Sequence, residues 1–199
     1  DSINAMEDAP VELYKEFMED ITNEIERENK IITDLLSLVK MDKSAADLNI
    51  SSININEMLE LILKRLRPIA DKRNIDLILD SFRPVEADVD ELKFTSAISN
   101  LVENAIKYNQ PGGSVQITIS RSNGKAILRV ADTGCGIPDE YRTSIFEPFF
   151  RVDKSRSREM GGAGLGLALV REIAALHGGT VQDEPAEGAG TVFTVALPM

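Results

Sequence analysis

One cysteine, one histidine and no tryptophan occur in 199 residues. The lone Cys135 excludes an internal disulfide, and without a cluster of Cys and His there is no zinc site to read. No apolar run reaches about 18 residues, so no segment reads as a membrane span, and none reads as a secretory leader. Bases are the minority charge, 22 Lys and Arg against 33 Asp and Glu, for a formal net charge of -11. That balance argues against a nucleic-acid backbone as main partner, because neutralising phosphates takes clustered Lys and Arg. A small anionic ligand stays open, since it needs only a local positive field. A reducing, cytoplasmic setting is expected, with neither nucleic acid nor membrane touching this chain.

The acidity is uneven. Residues 1–30 hold ten acids and three bases, Lys15, Arg27 and Lys30. From about Pro10 to Lys43 there is no Gly or Pro, and Tyr14, Met18, Ile21, Ile25, Ile32, Leu35 and Val39 recur at alternating spacings near 3.5. Leu13, Phe17, Ile31 and Leu38 widen the stripe. This seam predicts one long helix that packs lengthwise on other helices, either a copy of itself or a partner helix outside the chain. Lys43–Ser52 reads as a polar hinge. Asn56 is the expected cap of a helix to Arg73 with Leu59, Ile62, Leu63 and Leu66 inward. Ile75–Ser81 alternates as a strand, and Asp88–Asp90 opens a helix through Tyr108. Ser114–Arg121 and Lys125–Asp132 form a hairpin about Ser122-Asn123-Gly124. A short helix near Pro138–Ile145, a helix over Gly164–His177, and strands Thr180–Asp183 and Thr191–Leu197 complete the chain. The fold class is therefore α+β, a two-layer sandwich with helices on one face of a mixed, mostly antiparallel sheet, preceded by a long helix. The expected division is 1–45 and 46–199.

Four stretches carry chemistry. In Asn100-Leu101-Val102-Glu103-Asn104-Ala105-Ile106-Lys107-Tyr108, the polar residues Asn100, Asn104 and Lys107 or Tyr108 share one helical face. Mg²⁺ takes oxygen ligands and keeps waters, so one Asn carbonyl and a nucleotide's phosphates suffice for it. The plainer alternative is a solubilising surface stripe. In Val130-Ala131-Asp132-Thr133-Gly134-Cys135-Gly136-Ile137-Pro138, a strand ends in a carboxylate that can accept from an adenine amino group. Two glycines after it let backbone approach a flat ring; an ordinary turn reads equally well. After Ile145–Arg151, the bases Arg151, Lys154, Arg156 and Arg158 oppose the acidic trend and suit a flexible lid over an anionic phosphate tail; a solvated charged loop is the plainer alternative. Finally, Gly161-Gly162-Ala163-Gly164-Leu165-Gly166 runs straight into an apolar helix, which offers backbone N–H groups to phosphate. It follows no strand and lacks Gly-Lys-Ser/Thr, so it is neither the dinucleotide fingerprint nor a P-loop.

In this order the stretches resemble the catalytic, ATP-binding domain of sensor histidine kinases, in the wider group with DNA gyrase B, Hsp90 and MutL ATPases. "NLVENAIKY" resembles the N box, "DTGCGIP" the first glycine box, "FEPFFR" the F box, "GGAGLGL" the second glycine box, and "GAGTVFTVALP" the last strand region. The resemblance covers about residues 50–199 and makes the N-terminal helix similar to the second helix of the dimerisation and phosphotransfer hairpin. It implies Mg²⁺ on Asn104, with Asn100 supporting the phosphate end and Lys107 and Tyr108 on phosphates. Asp132 would hold the adenine amino group, with Gly134, Gly136, Ile137 and Thr191 around the base. Arg151 would reach the γ-phosphate, and Gly162, Gly164, Leu165 and Gly166 would line the phosphate tail. Ala163 stands where Thr is frequent and Pro148 where Arg is, and neither removes a ligand.

The family's acceptor segment, roughly His-Glu-Leu-Arg-x-Pro, has no counterpart here. The expectation is a truncated piece of a kinase or a naturally cut-down one that starts after the acceptor helix, binds ATP and Mg²⁺, and does not phosphorylate itself on histidine. The resemblance further implies as partners an acceptor-histidine helix of the same or another subunit and a response regulator. It also implies a homodimeric, membrane-anchored parent. Three other readings share the fold: an anti-sigma-type serine kinase, an ATP hydrolase with Glu103 as water-activating base, and a pseudokinase that only dimerises. His177, in Ala174-Ala175-Leu176-His177-Gly178-Gly179-Thr180, is expected to end a helix ahead of a glycine cap and to be structural.

Overall fold

The computed structural model describes residues 11–41, 48–152 and 162–199. Helix α1 (Val11–Met41) is followed by β1 (Ile50–Asn54), α2 (Ile55–Lys72), β2 (Asp76–Asp80), β3 (Glu86–Asp90) and α3 (Glu91–Lys107). The hairpin β4 (Ser114–Ser122) and β5 (Lys125–Asp132) comes next, then a 3₁₀ turn at Asp139–Tyr141, α4 (Gly166–Leu176), β6 (Thr180–Pro185) and β7 (Thr191–Pro198). The main sheet has the order β2-β4-β5-β7-β6, with β2 parallel to β4 and the other neighbours antiparallel. This is the expected mixed, mostly antiparallel sheet.

The core forms where α2, α3 and α4 bury their apolar faces. Leu59, Ile62, Leu63 and Leu66 of α2 are all buried, as are Ile98, Leu101 and Val102 of α3 and Leu169, Val170 and Ile173 of α4. They meet Val115, Ile117, Leu128, Val130, Phe193 and Val195 from the sheet. Each fully buried Leu or Ile contributes about 1.5–3 kcal/mol relative to exposure.

Local chemistry moved several boundaries. The cap of α2 is Asn54, whose Oδ1 accepts from the N–H groups of Asn56 (3.1 Å) and Glu57 (3.3 Å). Asn56, the expected cap, turns outward from the helix axis. Its amide donates to Ser81 Oγ and the Arg83 carbonyl and accepts from the Val85 N–H. The stretch read as a hinge ends in β1, which pairs antiparallel with β3 as a separate two-stranded sheet; residues 42–47 lie outside the described residues. The residues that open α3 are thus the end of a strand, and Asp90 is its cap, accepting from the Lys93 N–H at 3.0 Å. The expected helix near Pro138–Ile145 is only a 3₁₀ turn, and β6 runs two residues beyond Asp183.

Helix α1 packs against α4 and the domain through its C-terminal half, where Ile31, Asp34, Ser37 and Leu38 are half-buried. The main seam points away: Tyr14, Met18, Ile21, Ile25, Ile32, Leu35 and Val39 are exposed.

Candidate functional site

Two groups of side chains lie either side of the C-terminus of α3. The first is built at the end of β5. Asp132 is 8% exposed, and its Oδ1 accepts from the N–H groups of Gly134 (2.8 Å) and Thr191 (3.3 Å). Both bonds fall on one oxygen. Burial pushes the Asp132 carboxyl above the ordinary carboxylate value, against the lowering effect of those two N–H groups. The glycines are required here by close approach. A Cβ on Gly134 would overlap the Tyr108 carbonyl oxygen, and one on Gly190 would overlap the Asp132 carbonyl oxygen. Gly190 also has φ +110, and Gly136, at φ +70, faces the Gly190 backbone. Thr191 is buried, and Ile137 is half-buried against the core. Cys135 is exposed, with its N–H donated to the Tyr108 carbonyl at 3.2 Å, so the glycine turn is tied to the end of α3.

The second group gathers around Lys107, the last residue of α3. Its Nζ lies 5.2 Å from the centre of the Tyr108 ring and would be 2.6 Å from a Cβ on Gly162. Asn100, two turns earlier, is buried, and its Oδ1 would be 3.2 Å from a Cβ on Gly166, the first residue of α4. Asn104 stands between Asn100 and Lys107 on the same face of α3, half-buried. Burial, then the charges of Arg151, Lys30, Arg73 and Arg27, pull the Lys107 ammonium down from 10.5 to about 8. Nε and Nη2 of Arg151 are buried without a hydrogen-bond partner among the described residues. Such guanidinium N–H groups cost free energy unless an acceptor meets them.

The aromatic stretch anchors the entry to residue 151. Phe146 packs edge-on to Phe193 at 6.3 Å, and Phe150 meets Tyr141 at 5.8 Å. Phe149 holds φ +66 and donates its N–H to the Gly164 carbonyl at 2.9 Å, while a Cβ on Gly164 (φ +75) would be 2.6 Å from the Phe150 carbonyl oxygen. Leu165, next along the chain, is buried. The bases Lys154, Arg156 and Arg158 and residue Gly161 lie outside the described residues.

Sequence reasoning missed three members of this neighbourhood. Gly190 is one; it lay within the stretch "GAGTVFTVALP" but was given no role of its own. Arg73 is another, donating from Nη1 to the Lys107 carbonyl at 2.8 Å. The third is the pair Arg27 and Lys30, which come from α1 and meet α3 only through tertiary packing.

Among the described residues no three His, Cys, Asp or Glu side chains are grouped to hold a metal. A cation here would depend on oxygens carried by a ligand, together with the Asn104 and Asn100 amides. That donor set suits Mg²⁺, which binds through one or two protein oxygens plus phosphates and water. The unpartnered guanidinium, the lowered ammonium and the glycines without room for a Cβ suit the tail of a nucleotide in the same way.

A sandwich of this topology, with a buried carboxylate after the hairpin and glycines leading into the last helix, defines a class of ATP-binding domains. The sequence pattern of that class, the histidine kinase-, DNA gyrase B- and HSP90-like ATPases, matches residues 89–199. The chain belongs to this family, on its histidine kinase branch. It is 35% identical over 179 residues to the sensor histidine kinase WalK of Bacillus subtilis (strain 168), covering 88% of this chain and 29% of WalK. The crystal structure of full-length ShkA in complex with AMPPNP superposes with a TM-score of 0.76 at 29% identity, over 85% of this chain and 35% of that one. Histidine kinase ThkA in complex with the response regulator protein TrrA gives a TM-score of 0.73 at 26% identity, over 93% of this chain and 51% of that one. The chain therefore spans 29% of the length of WalK and 46% of that of the sensor-like histidine kinase SenX3 of Mycobacterium bovis (strain ATCC BAA-935 / AF2122/97). No helix among the described residues is long and apolar enough to cross a membrane.

Proposed function

We propose that this chain is the kinase part of a two-component sensor histidine kinase, binding ATP with Mg²⁺ and passing the γ-phosphate to a histidine on another segment. Residues 46–199 form the ATP-binding catalytic domain, and 1–45 belong to the dimerisation and phosphotransfer hairpin. Asp132 Oδ2 accepts from the adenine amino group while Oδ1 is held by Gly134 and Thr191, and Gly134, Gly136 and Ile137 flank the base. Lys107, Tyr108, Arg151, Gly162, Gly164, Leu165 and Gly166 receive the phosphates. Asn104 holds Mg²⁺, with Asn100 behind it. The observation that carries this reading is the pairing of a buried, half-satisfied carboxylate with a nest of unneutralised bases across the end of α3, in a chain of the histidine kinase family.

The acceptor is not His177. Its Nε2 accepts from the Asp90 N–H at 2.9 Å, so its Nδ1 carries the proton and donates to the Ile173 carbonyl at 2.7 Å. Nε2 ties the end of α4 to the start of α3 and Nδ1 binds back onto the last turn of α4, so both ring nitrogens are engaged, which supports the structural role. Glu103 is ion-paired with Lys30, which counts against a hydrolase in which Glu103 is a free base. The parent is proposed to be a cytoplasm-facing, membrane-anchored homodimer whose phosphohistidine supplies a response regulator, the class of protein that ThkA binds in its complex.

Calorimetry with Mg-ATP tests the site. Asp132→Asn should lower affinity at least a hundredfold, since it turns an acceptor towards the adenine amino group into a mixed donor; unchanged affinity would sink the adenine assignment. With γ-labelled ATP, acid-labile label is expected on an acceptor helix added in trans and none on this chain alone.

A further inference from the structure

Where α1 passes α3, their side chains meet in antiparallel order. Lys30 of α1 is ion-paired with Glu103 of α3, and Asp34, one turn further on, shares a groove with Ser99 and Asn100, one turn back along α3. The same geometry carries Arg27, three residues before Lys30, towards Lys107, four residues beyond Glu103. Its charge is close enough to oppose that of Lys107. Arg27 Nη1 pairs with Glu24 at 3.0 Å, but Arg27 Nε is buried without an acceptor among the described residues. Arg151 meets the same cluster from the other side with two buried, unpartnered nitrogens.

The acids nearby do not resolve this. Glu24 is committed to Arg27 Nη1 and Glu103 to Lys30. Asp34, pushed above the ordinary carboxylate value first by burial and also by Glu103, lies at the Lys30 end. Arg27 and Arg151 thus approach Lys107 from two other segments, with guanidinium N–H groups unfilled among the described residues, and bringing like charges together costs free energy that an anion between them would return.

We propose that Arg27 is a phosphate-binding residue of the nucleotide site: with Lys107 and Arg151 it closes on the polyphosphate of bound ATP, and the nucleotide thereby fastens α1 to the ATP-binding domain. This rests on the ATP reading above. By linkage, the tightening of α1 by ATP equals the gain in ATP affinity from α1. The triphosphate should matter more than the base, because Arg27 lies at the Lys107 end and not beside Asp132.

Titrating the whole chain with ATP and AMP by calorimetry, as wild type, Arg27→Ala and Arg27→Lys, tests it. Arg27→Ala is expected to weaken ATP about tenfold, the loss of one charge-assisted bond to phosphate, and AMP by less than twofold. Arg27→Lys should recover most of the ATP affinity. Hydrogen exchange across residues 24–35 should slow on adding ATP to the wild type and not to Arg27→Ala. Equal ATP affinity for wild type and Arg27→Ala, or equal weakening of ATP and AMP, overturns the proposal and leaves the ATP reading standing. A wild type that binds no ATP overturns both.

Discussion

Lys107 is the side chain whose chemistry the fold alters most. Burial and then the surrounding bases lower it to about 8 from 10.5, so near pH 8 about half of the molecules hold it neutral. Phosphate oxygens favour the ammonium, so ATP binding must raise its pKa. The sign follows: binding takes up protons near pH 8 and weakens as pH rises through that value. Calorimetry in buffers of different ionisation heat should read an uptake of up to about half a proton at pH 8, and no uptake removes Lys107 from the phosphate end. Asp132 moves oppositely: its carboxyl is raised by burial, so the folded chain holds that proton more tightly than the unfolded one. Its charged form therefore costs stability above the raised pKa, and this cost is relieved as pH falls into the carboxylate range. His177 gives a separable test. His177→Ala strands the Asp90 N–H, for a cost of about 1–2 kcal/mol in denaturant unfolding. ATP affinity and labelling of an acceptor in trans should persist; acid-labile label on this chain itself that His177→Ala removes would reopen its role as acceptor.

Among the elements, those with a strong period were legible in the sequence and those held by neighbours were not. The inward face of α2 was legible in the spacing of Leu59, Ile62, Leu63 and Leu66, and the β4–β5 hairpin in its alternation and Ser122-Asn123-Gly124 turn. The small sheet of β1 and β3 was hidden because Ile50–Asn54 and Glu86–Asp90 are short and mostly polar, and only pairing with each other makes them strands. Asn54 and Asn56 both carry the chemistry of a cap, and only tertiary bonds to Ser81, Arg83 and Val85 assign Asn56 elsewhere. The site motifs were legible as motifs, but Gly190 needed the register of β7 beside β5 to bring it onto Asp132. That register gives a paired test in the turn before β7. Gly190→Ala places a Cβ onto the Asp132 carbonyl oxygen and should destabilise by about 3 kcal/mol and weaken ATP binding through Asp132. Gly188, at φ +93 with nothing within 4 Å, should cost only about 1 kcal/mol as alanine and leave ATP binding unchanged. Equal effects from the two, measured by urea midpoint and calorimetry, would exclude close approach as the reason for Gly190.

Across the whole molecule, α1 is used on two sides. Its C-terminal half meets the domain through Arg27, Lys30, Ile31, Asp34 and Leu38, while Met18, Ile21, Ile25, Ile32, Leu35 and Val39 stay exposed on the other. A stripe of that length left in water is costly, at about 25 cal/mol for each Å² of apolar surface that a partner helix could cover. The heptad spacing predicts that the cover is another helix, and a second copy of α1 is always present in solution at the protein's own concentration. The domain-facing residues are off the seam, so pairing need not displace the domain, and ATP binding and association should be separable. The whole chain is therefore expected to self-associate with rising concentration in sedimentation. Ile25→Glu combined with Ile32→Glu should return it to monomers, because two seam charges would face their copies in a desolvated stripe. ATP affinity should hold within about twofold, since neither substitution lies on the Arg27 face. If the double variant loses ATP affinity as well, the seam and the docking face act as one surface, and α1 cannot serve both contacts at once.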